Sequence, residues 1–159
     1  MLEGGPLIDC GTHQIDLAHF WLNSPVETFT GRGAWVEDYE APDHIWLHMD
    51  HESGAHTMVE VSYSYQHTTA ANRTEFVFEL IGTEGVIRYD AVERSFVMDN
   101  QTGHHELDFG EEKNFLRLYQ EWARALNEGS STLLTSAADG MRVVEIAREA
   151  TNQAIAFRK

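Results

Sequence analysis

Gly4-Gly5-Pro6-Leu7-Ile8-Asp9-Cys10-Gly11-Thr12-His13-Gln14-Ile15-Asp16-Leu17-Ala18-His19-Phe20-Trp21-Leu22 is an apolar, helix-compatible stretch interrupted by titratable groups. An α-helix advances 100° per residue, so Asp9 and His13, four apart, lie about 40° from one another on one face. Asp16, seven residues beyond Asp9, falls in the same arc. The helix predicted here carries a carboxylate–imidazole–carboxylate stripe, with Leu7, Ile8, Ile15, Leu17, Ala18, Trp21 and Leu22 around the rest. Burying polar groups costs free energy unless they are paired or used, which makes the stripe the first candidate for chemistry.

Beyond the stripe, Asn23-Ser24-Pro25 ends the helix, because Pro25 disfavours helical backbone at the residue before it. The texture then turns to strands over 26–36, 44–51, 56–65, 74–81, 86–89, 94–98 and 105–109. Turns at Ser53-Gly54, Gly82-Thr83-Glu84-Gly85 and 100–103 separate them, and such short connections imply mostly antiparallel pairing. Two helices close the chain. One covers 111–128, with Phe115, Leu118, Tyr119, Trp122 and Leu126 on one stripe. The other starts near Ser136, where Ser136-x-x-Asp139 resembles a capping box, and its apolar side holds Val143, Ala147, Ala150, Ala154 and Phe157. This order predicts an α+β fold, a mostly antiparallel open sheet with helices packed on one face. With no repeat, linker or low-complexity tract, residues 1–159 read as a single domain.

The hairpin over 44–65 adds a second expectation. A two-residue turn at Ser53-Gly54 sets His51 opposite His56. It puts Ile45, Leu47 and Met49 on one face and Trp46, Val59, Val61, Tyr63 and Tyr65 on the other. Mixed faces predict that the side without helices meets a protein surface, most simply a second copy, as a homodimer or tetramer through the open sheet.

Composition bounds the function classes. The 159 residues are 42% hydrophobic, with four Trp, five Tyr and eight Phe, enough for a sizeable core. No run of 18 apolar residues suggests a membrane span, and Met1-Leu2-Glu3-Gly4 shows no basic leader. A lone cysteine, Cys10, suits a reducing cytoplasm and reads as a small core hydrophobe. Acidic residues outnumber basic ones 26 to 11, and the formal charge of −15 disfavours nucleic acid.

The segment Gly-Gly-x-Leu-Ile-Asp-x-Gly-x-His-x-Ile-Asp-Leu at 4–17 resembles the hallmark of the glucose–fructose oxidoreductase / inositol dehydrogenase (Gfo/Idh/MocA) family. Glu52-Ser53-Gly54-Ala55, Ile81-Gly82-Thr83-Glu84-Gly85-Val86 and the two closing helices resemble later parts of that family's C-terminal domain. The resemblance implies the substrate-binding and oligomerisation domain of a two-domain NAD(P)-dependent oxidoreductase acting on CH–OH groups of a sugar or polyol. No Gly-x-Gly-x-x-Gly and no Glu-Lys-Pro segment is present, so the N-terminal Rossmann domain and the family's lysine are absent. The expectation is a fragment that binds no cofactor, shows no activity alone, and implies NAD(P) for the full-length enzyme.

By position, Asp9 and His13 match the family's substrate-side catalytic pair. Oxidising a secondary alcohol removes a proton from oxygen, and an imidazole, with an ordinary pKa of about 6.5, can take it. His13 is thereby assigned as acid/base and Asp9 as its orienting, substrate-binding partner, while Asp16 is structural, pairing with backbone or an arginine. His67 and Arg73, near strand ends, are further candidates for substrate hydroxyls.

Two rival readings stand beside this one. One is a free-standing, non-enzymatic dimerisation or carbohydrate-binding module. The other is a metal site on the hairpin residues Asp43, His44, His48, Asp50, His51, Glu52 and His56; it lacks a third good ligand beside His51 and His56, and no metal is assigned. Trp21, Trp46, Trp122 and Phe157 read as core or interface.

Overall fold

In the computed structural model, residues 4–71, 74–110 and 114–158 are described, the side chains of 66 and 67 excepted. In chain order the elements are a π turn (Leu7–Gly11), α1 (Thr12–Leu22), β1 (Val26–Ala34), β2 (His44–His51), β3 (His56–Ser62) and the single turn α2 (Tyr65–Thr68). Then come β4 (Val77–Ile81), β5 (Gly85–Asp90), β6 (Ser95–Asn100), β7 (Gly103–Glu106), α3 (Phe115–Glu128) and α4 (Ala137–Ala156). The α+β class and the antiparallel pairing agree with the sequence reading. The strands pair in two sets, β1-β2-β3 and β4-β5-β6-β7, and the chain divides into two units, 1–71 with 130–159, and 72–129.

In the first unit, Gly4 and Gly5 take φ of +97° and +91°, which is why two glycines precede Pro6. Pro6 then opens the helical segment, its fixed φ suiting a helix start. The segment ends where Asn23 adopts a left-handed φ of 43° and donates its N–H to the His19 carbonyl at 2.9 Å. That stop comes two residues before Pro25.

The hairpin register differs from the sequence expectation. His51 N–H donates to the Ala55 carbonyl at 2.9 Å and Gly54 N–H to the His51 carbonyl at 2.8 Å. The turn is therefore Glu52-Ser53-Gly54, with Gly54 at φ +83°. One extra turn residue slips the pairing by one and moves a strand's side chains to the opposite face. Asp50, not His51, faces His56, and Val59 and Val61 pair with Leu47 and Ile45. Apolar side chains thus collect on the inner face, while His48, Asp50, His56, Met58 and Glu60 are exposed on the other. The evenly mixed faces used to argue for self-association are not present in this hairpin.

Helices cover the inner face. α4 runs along β1, where Ala147, Ala150 and Ala154 are buried and Gly31 allows backbone to approach backbone. A Cβ at Gly31 would stand 2.1 Å from the Ala150 carbonyl oxygen, and Gly31 N–H donates to Gln153 Oε1 at 2.8 Å. Leu7, Ile15, Ile45, Leu47, Met49, Val59 and Ile146 complete this core. Ser136 caps α4 by accepting from the Asp139 N–H at 3.1 Å, as the spacing predicts.

The second unit is a four-stranded meander. Gly82 N–H donates to the Gly85 carbonyl at 2.9 Å, closing the β4–β5 turn. Tyr89 stacks on Phe78 and Phe109, with centroids 4.8 and 5.1 Å apart, and meets Phe96 edge-on. α3 starts at Phe115, residues 111–113 lying outside the described set, and carries the predicted apolar stripe, yet none of its residues is buried. Trp122 and Phe157 are likewise exposed. No helix among the described residues is long and apolar enough to cross a membrane.

Candidate functional site

Asp9 and His13 straddle a junction between two kinds of helix: Asp9 lies in the π turn and His13 in the first turn of α1. A π turn takes more residues per revolution than an α-helix, so four steps overshoot a full turn by less than 40° and the two residues keep one bearing. Both side chains are exposed, while Leu7, Ile15 and Ala18 of the same segment are buried. The polar stripe therefore lies on the open face of the segment and does not bear the burial cost expected of it.

The partners differ from those expected. His13 makes no hydrogen bond or ion pair among the described residues. Oδ2 of Asp9 instead accepts a hydrogen bond from the Tyr63 hydroxyl. Cys10 Sγ lies 3.2 Å from that hydroxyl and 3.8 Å from Oδ2. Cys10 is thus half-buried beside a polar group, not a core hydrophobe. Burial, and then the hydrogen bond to Asp9, hold the Tyr63 phenol above the ordinary tyrosine range.

The partner of Asp16 is neither backbone nor an arginine. The Thr135 hydroxyl lies 3.0 and 3.2 Å from its two carboxylate oxygens, joining α1 to the residue before the α4 cap. The side chain of His67 and all of Arg73 lie outside the described residues.

Two further residues support the Asp9 site, neither of them placed beside Asp9 by sequence spacing, though Asp43 figures in the rival hairpin reading. Tyr63 counted only as part of a sheet face, yet its hydroxyl meets Asp9, 54 residues away in the chain. Asp43 is fully buried: its carboxylate accepts from the N–H groups of Val36 and Glu37, both at 2.9 Å, and from the Ser64 hydroxyl at 2.8 Å. Its carbonyl also accepts the Tyr63 N–H at 2.8 Å, so this aspartate sets where Tyr63 sits. The local signal was Asp43 directly after Pro42, but no spacing rule points from there to Asp9.

The histidine-rich hairpin is occupied by structural bonding. His51, 2% exposed, places Nδ1 3.2 Å from the Ser24 carbonyl and Nε2 2.9 Å from Thr57 Oγ1. A carbonyl can only accept, so Nδ1 donates and Nε2 accepts from the threonine. His56 Nδ1 lies 2.9 Å from Asp50 Oδ1, on the exposed side. Among the described residues no three His, Cys, Asp or Glu side chains gather so as to hold an ion.

A dinucleotide would need a glycine-rich turn between a strand and a helix N-terminus. Gly82-Thr83-Glu84-Gly85 instead joins two antiparallel strands, so it does not fit a pyrophosphate.

Residues 2–156 match the model of an oxidoreductase family's C-terminal alpha/beta domain. Among curated proteins, the chain is 27% identical over 170 aligned positions to scyllo-inositol 2-dehydrogenase (NAD(+)) of Bacillus subtilis, covering 94% of this chain. It is 27% identical over 163 positions to D-apiose dehydrogenase of Rhizobium rhizogenes, covering 92% of this chain. The chain spans 45% of the length of each of these relatives. Among solved structures, an oxidoreductase from Agrobacterium radiobacter, in complex with NAD+, L-tartaric acid and magnesium, aligns with a TM-score of 0.77 at 25% identity, over 96% of this chain and 47% of that one. A UDP-N-acetylglucosamine 3-dehydrogenase from Acidithiobacillus ferrooxidans aligns at 0.80 and 12% identity, over 96% of this chain and 48% of that one, a likeness of fold.

Proposed function

The chain belongs to the oxidoreductase family whose C-terminal alpha/beta domain it matches, and on that footing we propose that it is the substrate-side domain of an NAD(P)-dependent oxidoreductase acting on a CH–OH group of a sugar or polyol. The observation that carries this reading is the exposure of Asp9 and His13 on one face of the motif segment, next to the Tyr63 hydroxyl. Relatives named for scyllo-inositol and D-apiose support a polyhydroxylated substrate and favour this reading over a free-standing binding module.

His13 is the acid/base. Its imidazole is solvent-facing and unpaired among the described residues, so it is free to accept the hydroxyl proton as the alcohol is oxidised. Asp9 accepts a hydrogen bond from a substrate hydroxyl. NAD(P) is the cofactor this reading implies for the full-length enzyme; the residues described here do not provide its cradle. His67 and Arg73 remain assigned to further substrate hydroxyls, and the working compartment to the cytoplasm. Self-association as a homodimer or tetramer through the sheet also belongs to this proposal, supported by Val77 and Ile81, both exposed on one face of β4.

The test extends the polypeptide upstream through its coding sequence. A strand–GxGxxG–helix unit followed by Glu-Lys-Pro is expected there, and His13→Ala in that extended protein should lower kcat/KM for polyol oxidation by about 10²- to 10⁴-fold. Unchanged turnover in the His13→Ala protein would remove His13 from the chemistry. For the 159-residue chain alone, calorimetry is expected to register no NAD(P) binding, and micromolar affinity would contradict the domain assignment.

A further inference from the structure

Two donors converge on one oxygen of Asp9. The Tyr63 hydroxyl donates a hydrogen bond to Oδ2, and the Cys10 thiol stands 3.8 Å from the same atom. Oδ1 accepts no hydrogen bond among the described residues, and the side chain is exposed. Tyr63 in turn is held by buried Asp43, through its own N–H at 2.8 Å and through the neighbouring Ser64 hydroxyl at 2.8 Å. Tyr63 is thus held at its backbone by the Asp43 carbonyl and at its hydroxyl end by Asp9.

We propose that Tyr63 is a positioning residue that pins Oδ2 of Asp9 so that Oδ1 alone meets a substrate hydroxyl, making Asp9 a fixed anionic acceptor and not the orienting partner of His13. This rests on the reading of Asp9 and His13 as the substrate-side pair. A carboxylate free to rotate loses that freedom when it binds, whereas a pinned one has lost it beforehand. A single presented oxygen also selects one hydroxyl of a polyol and sets the sugar's orientation against His13. Burial and the bond to Asp9 keep the phenol in its neutral, donating form. His13 makes no claim on Asp9, since no bond joins them among the described residues.

The experiment uses the 159-residue chain, with proton NMR of the Tyr63 hydroxyl and a probe panel of myo-inositol, sorbitol and glucose. The wild-type chain is expected to show a downfield, slowly exchanging hydroxyl proton, lost in Tyr63→Phe, moved upfield in Asp9→Asn and unchanged in His13→Ala. Tyr63→Phe should weaken probe binding by about tenfold, yet add less than about twofold in an Asp9→Asn background, where nothing is left to position. The phenylalanine keeps the backbone bond to Asp43, so the variant is expected to melt cooperatively within a few degrees of wild type. A tenfold loss that persists in the Asp9→Asn background, or a hydroxyl proton indifferent to Asp9→Asn, would overturn the proposal. Failure of the wild-type chain to bind any probe counts against the substrate-side reading; the hydroxyl signal and its response to Asp9→Asn then decide the Tyr63 pairing by themselves.

Discussion

Replacing Gly31 by alanine tests the close approach of β1 to α4. The new Cβ would meet the Ala150 carbonyl oxygen at 2.1 Å, its carbon at 2.6 Å and Cα at 2.9 Å. Ordinary contact begins at 3.4 Å, so β1 and α4 must part by about 1.3 Å. Neither can yield cheaply, because Ala147, Ala150 and Ala154 are almost fully buried along the same seam. Overpacking of this kind costs about 1–3 kcal/mol. The Gly31–Gln153 hydrogen bond, stretched by the same movement, is worth about 1 kcal/mol more. Reduced freedom of the unfolded chain returns about 0.5–1 kcal/mol, leaving a net loss of about 1–3.5 kcal/mol. On a chain of this size that lowers Tm by roughly 2–14 °C. Urea unfolding in a Trp122→Phe background reports the first unit alone, through Trp21, Trp35 and Trp46. The midpoint should fall with little change in slope. Gly140, inside α4 with nothing within 4 Å of its added Cβ, is the control, and Gly140→Ala should stabilise by up to about 1 kcal/mol. A Gly31→Ala protein within about 0.5 kcal/mol of wild type would refute the close approach, since surface changes alone give that much.

Three other outcomes are expected. His51→Ala leaves the buried Ser24 carbonyl and Thr57 hydroxyl without their imidazole and should cost about 2–4 kcal/mol by urea denaturation; a loss below about 0.5 kcal/mol would contradict the buried bonding. The Asp50 carboxyl is held below its ordinary range by the hydrogen bond from His56 first and from Thr28 second. A carboxylate depressed in the folded state stabilises above its unfolded value, about 3.9, and that contribution fades as pH falls through the folded value. Carboxyl ¹³C NMR should therefore show the Asp50 midpoint rising more on His56→Ala than on Thr28→Ala, and the reverse order would count against the assignment. Thr135→Val, which removes the hydroxyl from Asp16, should lower the melting free energy by about 0.5–1.5 kcal/mol while sparing polyol binding; lost binding would place Asp16 in the site instead.

Much of the fold was written locally. Apolar spacing located α3 and α4, Ser136-x-x-Asp139 located the start of α4, and alternation located β2 to the residue. These signals are legible because capping and periodicity involve neighbours within one or two turns. The pairing of β2 with β3 was not legible in the same way. Whether Ser53-Gly54 or Glu52-Ser53-Gly54 makes the turn changes one residue, yet it decides which face Val59 occupies and what His56 opposes.

The candidate site divides along the same line. The sequence by itself determined that Asp9 and His13 share a face, because a helical turn brings residues four apart together whatever surrounds them. Only the tertiary structure decided that the segment starts as a π turn, that both side chains face outward, and that Asp9 answers to Tyr63. Those outcomes rest on β3 arriving beside the motif with the two residues after it, Tyr63 and Ser64, tied to buried Asp43, a meeting of chain segments that no local periodicity encodes.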